Sequence, residues 1–109
     1  MKRGELWIAS GGGDYTGKPW AVVVVQDDRF EHSSSVAVCA LTTDPTDAPL
    51  FRVALTRSAE NGLNEDCRVM VDKITTVRRE RLSRRIGRLS ATDIRQIDRA
   101  ILVFLSMAG

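Results

Sequence analysis

Histidine occurs once in this chain, at His32, and cysteine twice, at Cys39 and Cys67. A single imidazole excludes any mechanism that needs two, and its place in the polar stretch Asp27 to His32 reads as a surface loop. The cysteines have neither CxxC spacing nor a histidine cluster, so the pattern points to two free thiols and to no metal or other cofactor. Long apolar runs are also missing. Ala21 to Val25 and Ala100 to Leu105 fall far short of the roughly 20 residues that cross a bilayer, and Met1-Lys2-Arg3 leads into no signal-type segment. The expectation is a cytoplasmic protein with no membrane contact. Aromatics are scarce at 6%, yet 43% hydrophobic and 28% charged residues are the proportions of an ordinary folded chain. A length of 109 residues suits one domain spanning residues 1–109.

The net charge of +2 conceals an asymmetry. Residues 1–77 carry eight Lys/Arg against eleven Asp/Glu, whereas residues 78–109 carry eight Arg against three acids. Arg78, Arg79, Arg81, Arg84, Arg85 and Arg88 lie within eleven residues. The guanidinium fork suits phosphate oxygens, so the cluster fits nucleic acid. It fits an acidic protein partner or a solvated face equally well.

The stretch Ser10 to Gln26 reads as a glycine-rich loop followed by a valine strand, Ala21 to Gln26. A strand without polar alternation is buried on both faces, so Val22 to Val25 should be central, between a core and a second layer supplied by a helix or another subunit. Glu5 to Ser10 should pair with it across the loop. Ser35 to Leu41 forms the next apolar strand and ends in two hydroxyls, Thr42 and Thr43. Between them Phe30 offers a pin into the core. Phe51 to Leu55 alternates like a half-exposed strand, and Asn61-Gly62 makes a tight bend with Leu63 as an anchor. Cys67 to Val71 and Lys73 to Val77 follow, bent near Asp72, then a helical turn or loop over Arg78 to Ser83, then a short strand Ile86 to Leu89. Ser90 and Asp93 mark the start of a helix whose stripe is Ile94, Ile97, Ile101, Leu105 and Ala108, widened by Leu102 and Phe104. The sum is a mainly β chain with a C-terminal helix, a small barrel or curled sheet. One helix covers one side of so small a barrel, so an isologous homodimer is expected to cover the other.

The order of motifs resembles the MazF/PemK-type toxins of bacterial toxin–antitoxin systems. The resemblance rests on Arg3-Gly4-Glu5-Leu6-Trp7, the Gly17-Lys18-Pro19 turn, the strand ending Thr42-Thr43, Asn61-Gly62-Leu63, Val71-Asp72-Lys73-Ile74, and Ile86-Gly87-Arg88-Leu89 before the helix. It implies an SH3-like β-barrel homodimer and a metal-independent endoribonuclease acting on single-stranded RNA. It also implies an antitoxin partner, MazE-like or other, that blocks the RNA groove. The family's catalytic threonine corresponds to Thr42, and Asp72, Lys73 and Thr75 correspond to its RNA-contacting segment. The chain departs from the family where an Arg-Pro pair usually opens the valine strand, since Trp20 and Ala21 stand there. An impaired homologue that binds antitoxin or RNA is therefore an alternative, and a gyrase-inhibiting toxin on the same fold is a further one.

Metal-free RNA cleavage proceeds by 2′-hydroxyl attack and needs proton transfers and charge stabilisation on the phosphorane. Thr42 can donate a hydrogen bond but no charge. Lys18 shares a face with Trp20 if the strand extends that far, and would then supply a cation; otherwise it is an exposed turn lysine. Trp20 suits either stacking on an unpaired base or filling a core or interface. Thr43, Arg84 and Arg85 complete the set of expected RNA contacts.

Overall fold

Valine at four consecutive positions, Val22 to Val25, loses water on both sides at once, and the fold is built to allow it. The computed structural model describes residues 1–11, 18–48 and 50–107. Six strands form one antiparallel sheet: β1 Glu5–Ala9, β2 Trp20–Val24, β3 Ser35–Thr42, β4 Arg52–Leu55, β5 Cys67–Arg78 and β6 Leu82–Arg88. The spatial order is β4-β5-β3-β2-β1-β6, so the valine strand is interior as expected. Helix α1, Ala91–Phe104, follows β6. Most of the glycine loop, residues 12–17, lies outside the described residues, as does Ala108.

Two apolar clusters sandwich β2. Val23 and Val25 join Leu6, Cys39, Val69, Val71 and the helix residues Ile97 and Ala100. Val22 and Val24 join Ala9, Val36, Val38 and Leu82, with Trp7, Trp20, Met1 and Val77 packed at the margin. The second face is thus covered from within the chain, by the curl of the sheet itself. These two faces therefore need no second subunit for cover, and the apolar surface left for one lies elsewhere.

That surface is the end of α1. Ser90 caps the helix, its Oγ accepting from the Asp93 N–H at 3.1 Å. Ile97 and Ala100 are buried and Ile94 and Ile101 pack on the same cluster. Leu102, Phe104 and Leu105, expected in the stripe, are 43%, 44% and 47% exposed. The helix packs on β4 and β5, and β4 is only four residues long, so the last turn runs past the sheet. Phe30 is also not a pin. It is 57% exposed at the end of a 3-10 turn that Asp27 caps, with the Arg29 guanidinium 5.8 Å from its ring centre.

Strand β5 is continuous where two pieces were expected, but it does bend. Cys39 pairs with Ile74 and Leu41 with Val69, so five steps of β5 oppose two of β3, and the surplus bulges near Asp72. Strand β6 starts four residues earlier than the apolar signal. Its arginine-rich half pairs with β1 through the backbone while the side chains stay in solvent, which leaves no alternation to read.

The curled sheet is closed by a loop rather than a ladder. The Arg88 N–H donates to the Glu60 carbonyl at 3.0 Å. Gly87 lies so close to the Asn61 backbone that a Cβ there would clash, and Gly62 sits at φ +70° against Ile86. Asn61 holds this loop together. It is 3% exposed, its Oδ1 accepts from Ser58 and Leu63 N–H at 2.9 and 3.0 Å, and its Nδ2 donates to the Thr56 carbonyl at 2.9 Å. Asn61→Ala strands these buried groups and should cost about 2–3 kcal/mol in urea denaturation. An unchanged midpoint would show that the loop does not close the barrel.

Candidate RNA-binding groove

Ladder pairing sets two short rows of side chains on one face of the sheet. Leu82 pairs with Ala9, and Ala9 with Trp20. The β2–β3 ladder ends at Val22 with Ala40, two residues short of Trp20 and Thr42, which lie on the same face in its register. Thr42 pairs with Arg68, and Arg68 with Ala54. Directly opposed residues share a face, with Cβ atoms about 4.5–5.5 Å apart. Thr42 therefore stands beside a guanidinium, with the indole on the same face at the start of β2.

The loop leaving β3 locks this arrangement. Thr42 Oγ1 accepts from the Asp44 N–H at 3.1 Å. Asp44 Oδ1 accepts from the Thr46 hydroxyl at 2.7 Å and the Thr46 N–H at 2.9 Å, and these two bonds hold its carboxyl below the usual range. A depressed carboxylate helps the loop at pH above its unfolded value and stops helping as pH falls through the folded one. The Thr46 carbonyl in turn accepts from Arg68 Nη1 at 2.6 Å.

Two clefts lie near these strand ends. One, of about 220 Å³, is lined by Thr43, Asp44, Pro45, Asp66, Cys67 and Arg68. The other, of about 390 Å³, is lined by Arg84, Arg85, Ile8, Ala21, Leu63 and Cys67 among others. Cys67 borders both, but the larger cleft opens on the Ile8–Ala21 side of the sheet, opposite the face that carries Ala9 and Trp20.

The expected residues divide accordingly. Thr43 lines the smaller cleft with Arg68, Arg84 and Arg85 line the larger one, and Thr42 and Trp20 lie on the face that carries Arg68. Trp20 is half-buried against the second cluster. Lys18 is exposed and β2 begins at Trp20, so the ladder does not carry Lys18 onto Trp20's face. Lys73 and Thr75 are exposed on the far half of β5. Thr75 pairs with Val38, four residues from Thr42 along β3, or about 13 Å at the rise of a strand. Asp72 faces Arg52, with Oδ1 3.8 Å from Nε and both side chains largely buried. Arg85 is engaged by Glu5 at 3.1 Å. Among the described residues no cluster of His, Cys, Asp and Glu is suited to hold a metal ion.

Arg68, Asp44 and Cys67 escaped the sequence reading. A charged residue inside the valine-rich run Cys67 to Val71 was the one available signal for Arg68.

Burial, and secondarily the Asp72 charge, push the Cys39 thiol up to about 12. Partial burial raises Cys67 too, with help from Glu65 and Asp66, but its side chain reaches the groove. Iodoacetamide at pH 8 should therefore alkylate Cys67, slowly, and leave Cys39 intact, as peptide mass mapping would read. Equal labelling of both would contradict the placement of Cys39 in the core.

Residues 2–105 match the family described as PemK-like, MazF-like toxin of type II toxin–antitoxin system. The chain is 48% identical over all 109 residues to the probable endoribonuclease MazF of Mycolicibacterium smegmatis, covering 100% of both chains. It is 29% identical to endoribonuclease MazF9 of Mycobacterium tuberculosis, with 98% of each covered. Among solved structures, an endoribonuclease in complex with its cognate antitoxin from a mycobacterial species superposes with TM-score 0.83 at 21% identity, covering 100% of this chain and 98% of that one. A MazE–MazF complex from Deinococcus radiodurans gives TM-score 0.80 at 17% identity, with 99% and 98% covered. The curled antiparallel sheet with its C-terminal helix is thus the fold of those toxins, and the chain belongs to the PemK-like, MazF-like toxin family of type II toxin–antitoxin systems.

Proposed function

We propose that this chain is a toxin that cleaves single-stranded RNA without a metal ion, with Thr42 at the reacting phosphate. The observation that carries the reading is the placing of Thr42 at a strand end, bonded to the Asp44 N–H and paired with Arg68, beside the cleft that Thr43, Asp44 and Arg68 line. The 2′-oxygen attacks phosphorus, the P–O5′ bond breaks, and the proton lost from the 2′-hydroxyl is balanced by one gained at the 5′-oxygen. The products are a 2′,3′-cyclic phosphate and a 5′-hydroxyl. Thr42 Oγ1 accepts from the Asp44 N–H, which leaves its own O–H to donate to a phosphate oxygen. Thr43 and Arg84 guide the RNA backbone along the groove; Arg85 joins them where it parts from Glu5. Trp20 offers its half-exposed indole edge to a base, and such stacking contributes about 1–3 kcal/mol. Lys18, Asp72, Lys73 and Thr75 lie farther out and would touch only flanking nucleotides.

The single domain of residues 1–109 acts in the cytoplasm, where RNA is reached without crossing a membrane. Its relatives with known structures include toxins in complex with antitoxins, and an antitoxin covering this groove would silence it. A homodimer fits the exposed apolar end of α1, where Leu102, Val103, Phe104, Leu105 and Met107 gather. Sedimentation of a 12.1 kDa species at tens of micromolar would count against it.

A second reading, a catalytically silent homologue, draws on Trp20, an uncharged side chain beside Thr42. Cleavage of single-stranded RNA in a chelator separates the two. Thr42→Ala should lower the rate about 10²–10³-fold, the worth of one transition-state donor, with a smaller change in KM. Trp20→Arg, which sets a second cation against Thr42, should raise it. A silent homologue would leave RNA intact until Trp20→Arg is introduced.

A further inference from the structure

Cleavage at Thr42 leaves one requirement unmet. The phosphorane carries an extra negative charge, and in a water-poor groove a fixed cation stabilises it far more than a neutral donor can. Trp20 has no charge, Lys18 lies outside the ladder, and Arg84 and Arg85 stand on β6, beyond β2 and β1 from Thr42. Arg68 is the ladder partner of Thr42 itself.

We infer that Arg68 is the cation of the active site, and the inference rests on the cleavage reading above. Cross-strand partners on one face stand about 4.5–5.5 Å apart at Cβ, close enough for a hydroxyl and a guanidinium to bind two oxygens of one phosphate. Neither group swings freely. Arg68 Nη1 donates to the Thr46 carbonyl, Thr46 bonds Asp44 through its N–H and hydroxyl, and the Asp44 N–H donates to Thr42. This closed circuit fixes the two groups relative to each other before RNA arrives. A guanidinium has five N–H donors, so one bond to Thr46 leaves a fork for phosphate. Asp44 and Asp66 line the same cleft. Their charges oppose any anion there, the more highly charged phosphorane most, and the fixed positive charge of Arg68 offsets them as charge builds on the phosphate oxygens.

The strand pattern supports a role beyond packing. Val69 and Val71 are fully buried on the core side of β5, while Arg68 stays partly exposed on the other side, next to exposed Ala54, whose small side chain leaves the guanidinium room. The competing account is that Arg68 only pins the loop through Thr46. A lysine keeps the charge, and an arginine at position 20 restores a charge beside Thr42 without touching Thr46. Those two variants separate the accounts.

The experiment is single-turnover cleavage of a single-stranded RNA by the full-length protein and its variants, with binding measured on the same oligonucleotide made uncleavable by 2′-deoxy substitution. Arg68→Gln should slow cleavage about 10²–10³-fold, with binding weakened about tenfold or less, as for one phosphate contact. Arg68→Lys should fall between, and Trp20→Arg in the Arg68→Gln background should recover most of the loss. Parental rates in Arg68→Gln, alongside a slow Thr42→Ala, would overturn the role of Arg68 and leave the site at Thr42 standing. Equal losses in Arg68→Gln and Arg68→Lys, with lowered melting temperatures and no recovery by Trp20→Arg, would assign Arg68 to pinning the loop. Parental rates in Thr42→Ala, or no cleavage by the unaltered protein, would overturn the cleavage reading itself and this inference with it.

Discussion

Burial of β2 on both faces is the constraint from which the rest follows. Val22, Val23 and Val24 are almost wholly shielded from water, and each successive side chain enters a different cluster. With 14 residues of helix available to cover one side, the sheet itself has to fold over the other. That demand explains the bulge in β5, the long backbone-paired β6, and the close approach of the Asn61 loop to Gly87. A strand held this way is packed on both faces, and the ladders tie its neighbours to it. Trp20, Thr42 and Arg68 therefore sit on a rigid base, which catalytic geometry requires more than any single contact.

The arginine cluster is less uniform than its density suggests. Arg79 donates to the Ser33 carbonyl at 2.9 Å and to Met1, and Arg81 donates to the Gly11 carbonyl at 2.8 Å. Arg85 meets Glu5 across the β1–β6 pair. These three contribute positive field to the surface while their forks serve the fold. Arg84 lines the larger cleft, while Arg68, far from the cluster in sequence, lines the smaller one beside Thr43. Charge that looks like one patch in the chain is thus divided in space between structure and groove.

What the sequence made legible was whatever depends on local pattern. Unbroken valine marked an interior strand, Ser90 and Asp93 marked a helix start, and Asn61-Gly62 marked a bend. The order of weak motifs pointed to the family. What escaped it depends on register. Thr42 and Arg68 are 26 positions apart, and nothing short of the β3–β5 pairing sets them side by side. The same holds for Leu102, Phe104 and Leu105, whose helical spacing is right but whose burial depends on where a short β4 ends. Lys18 would share a face with Trp20 only on a longer strand, and β2 begins two residues too late for that.

The central claim is that the row through Thr42 catalyses attack by the RNA's own 2′-hydroxyl. End-group analysis of RNA cleaved in excess chelator tests it most directly, by mass spectrometry of the fragments. The account predicts 2′,3′-cyclic phosphate and 5′-hydroxyl termini, and no scission where the 2′-hydroxyl upstream of the bond is replaced by hydrogen. Fragments ending in 3′-hydroxyl and 5′-phosphate, or scission that survives the 2′-deoxy substitution, would contradict it.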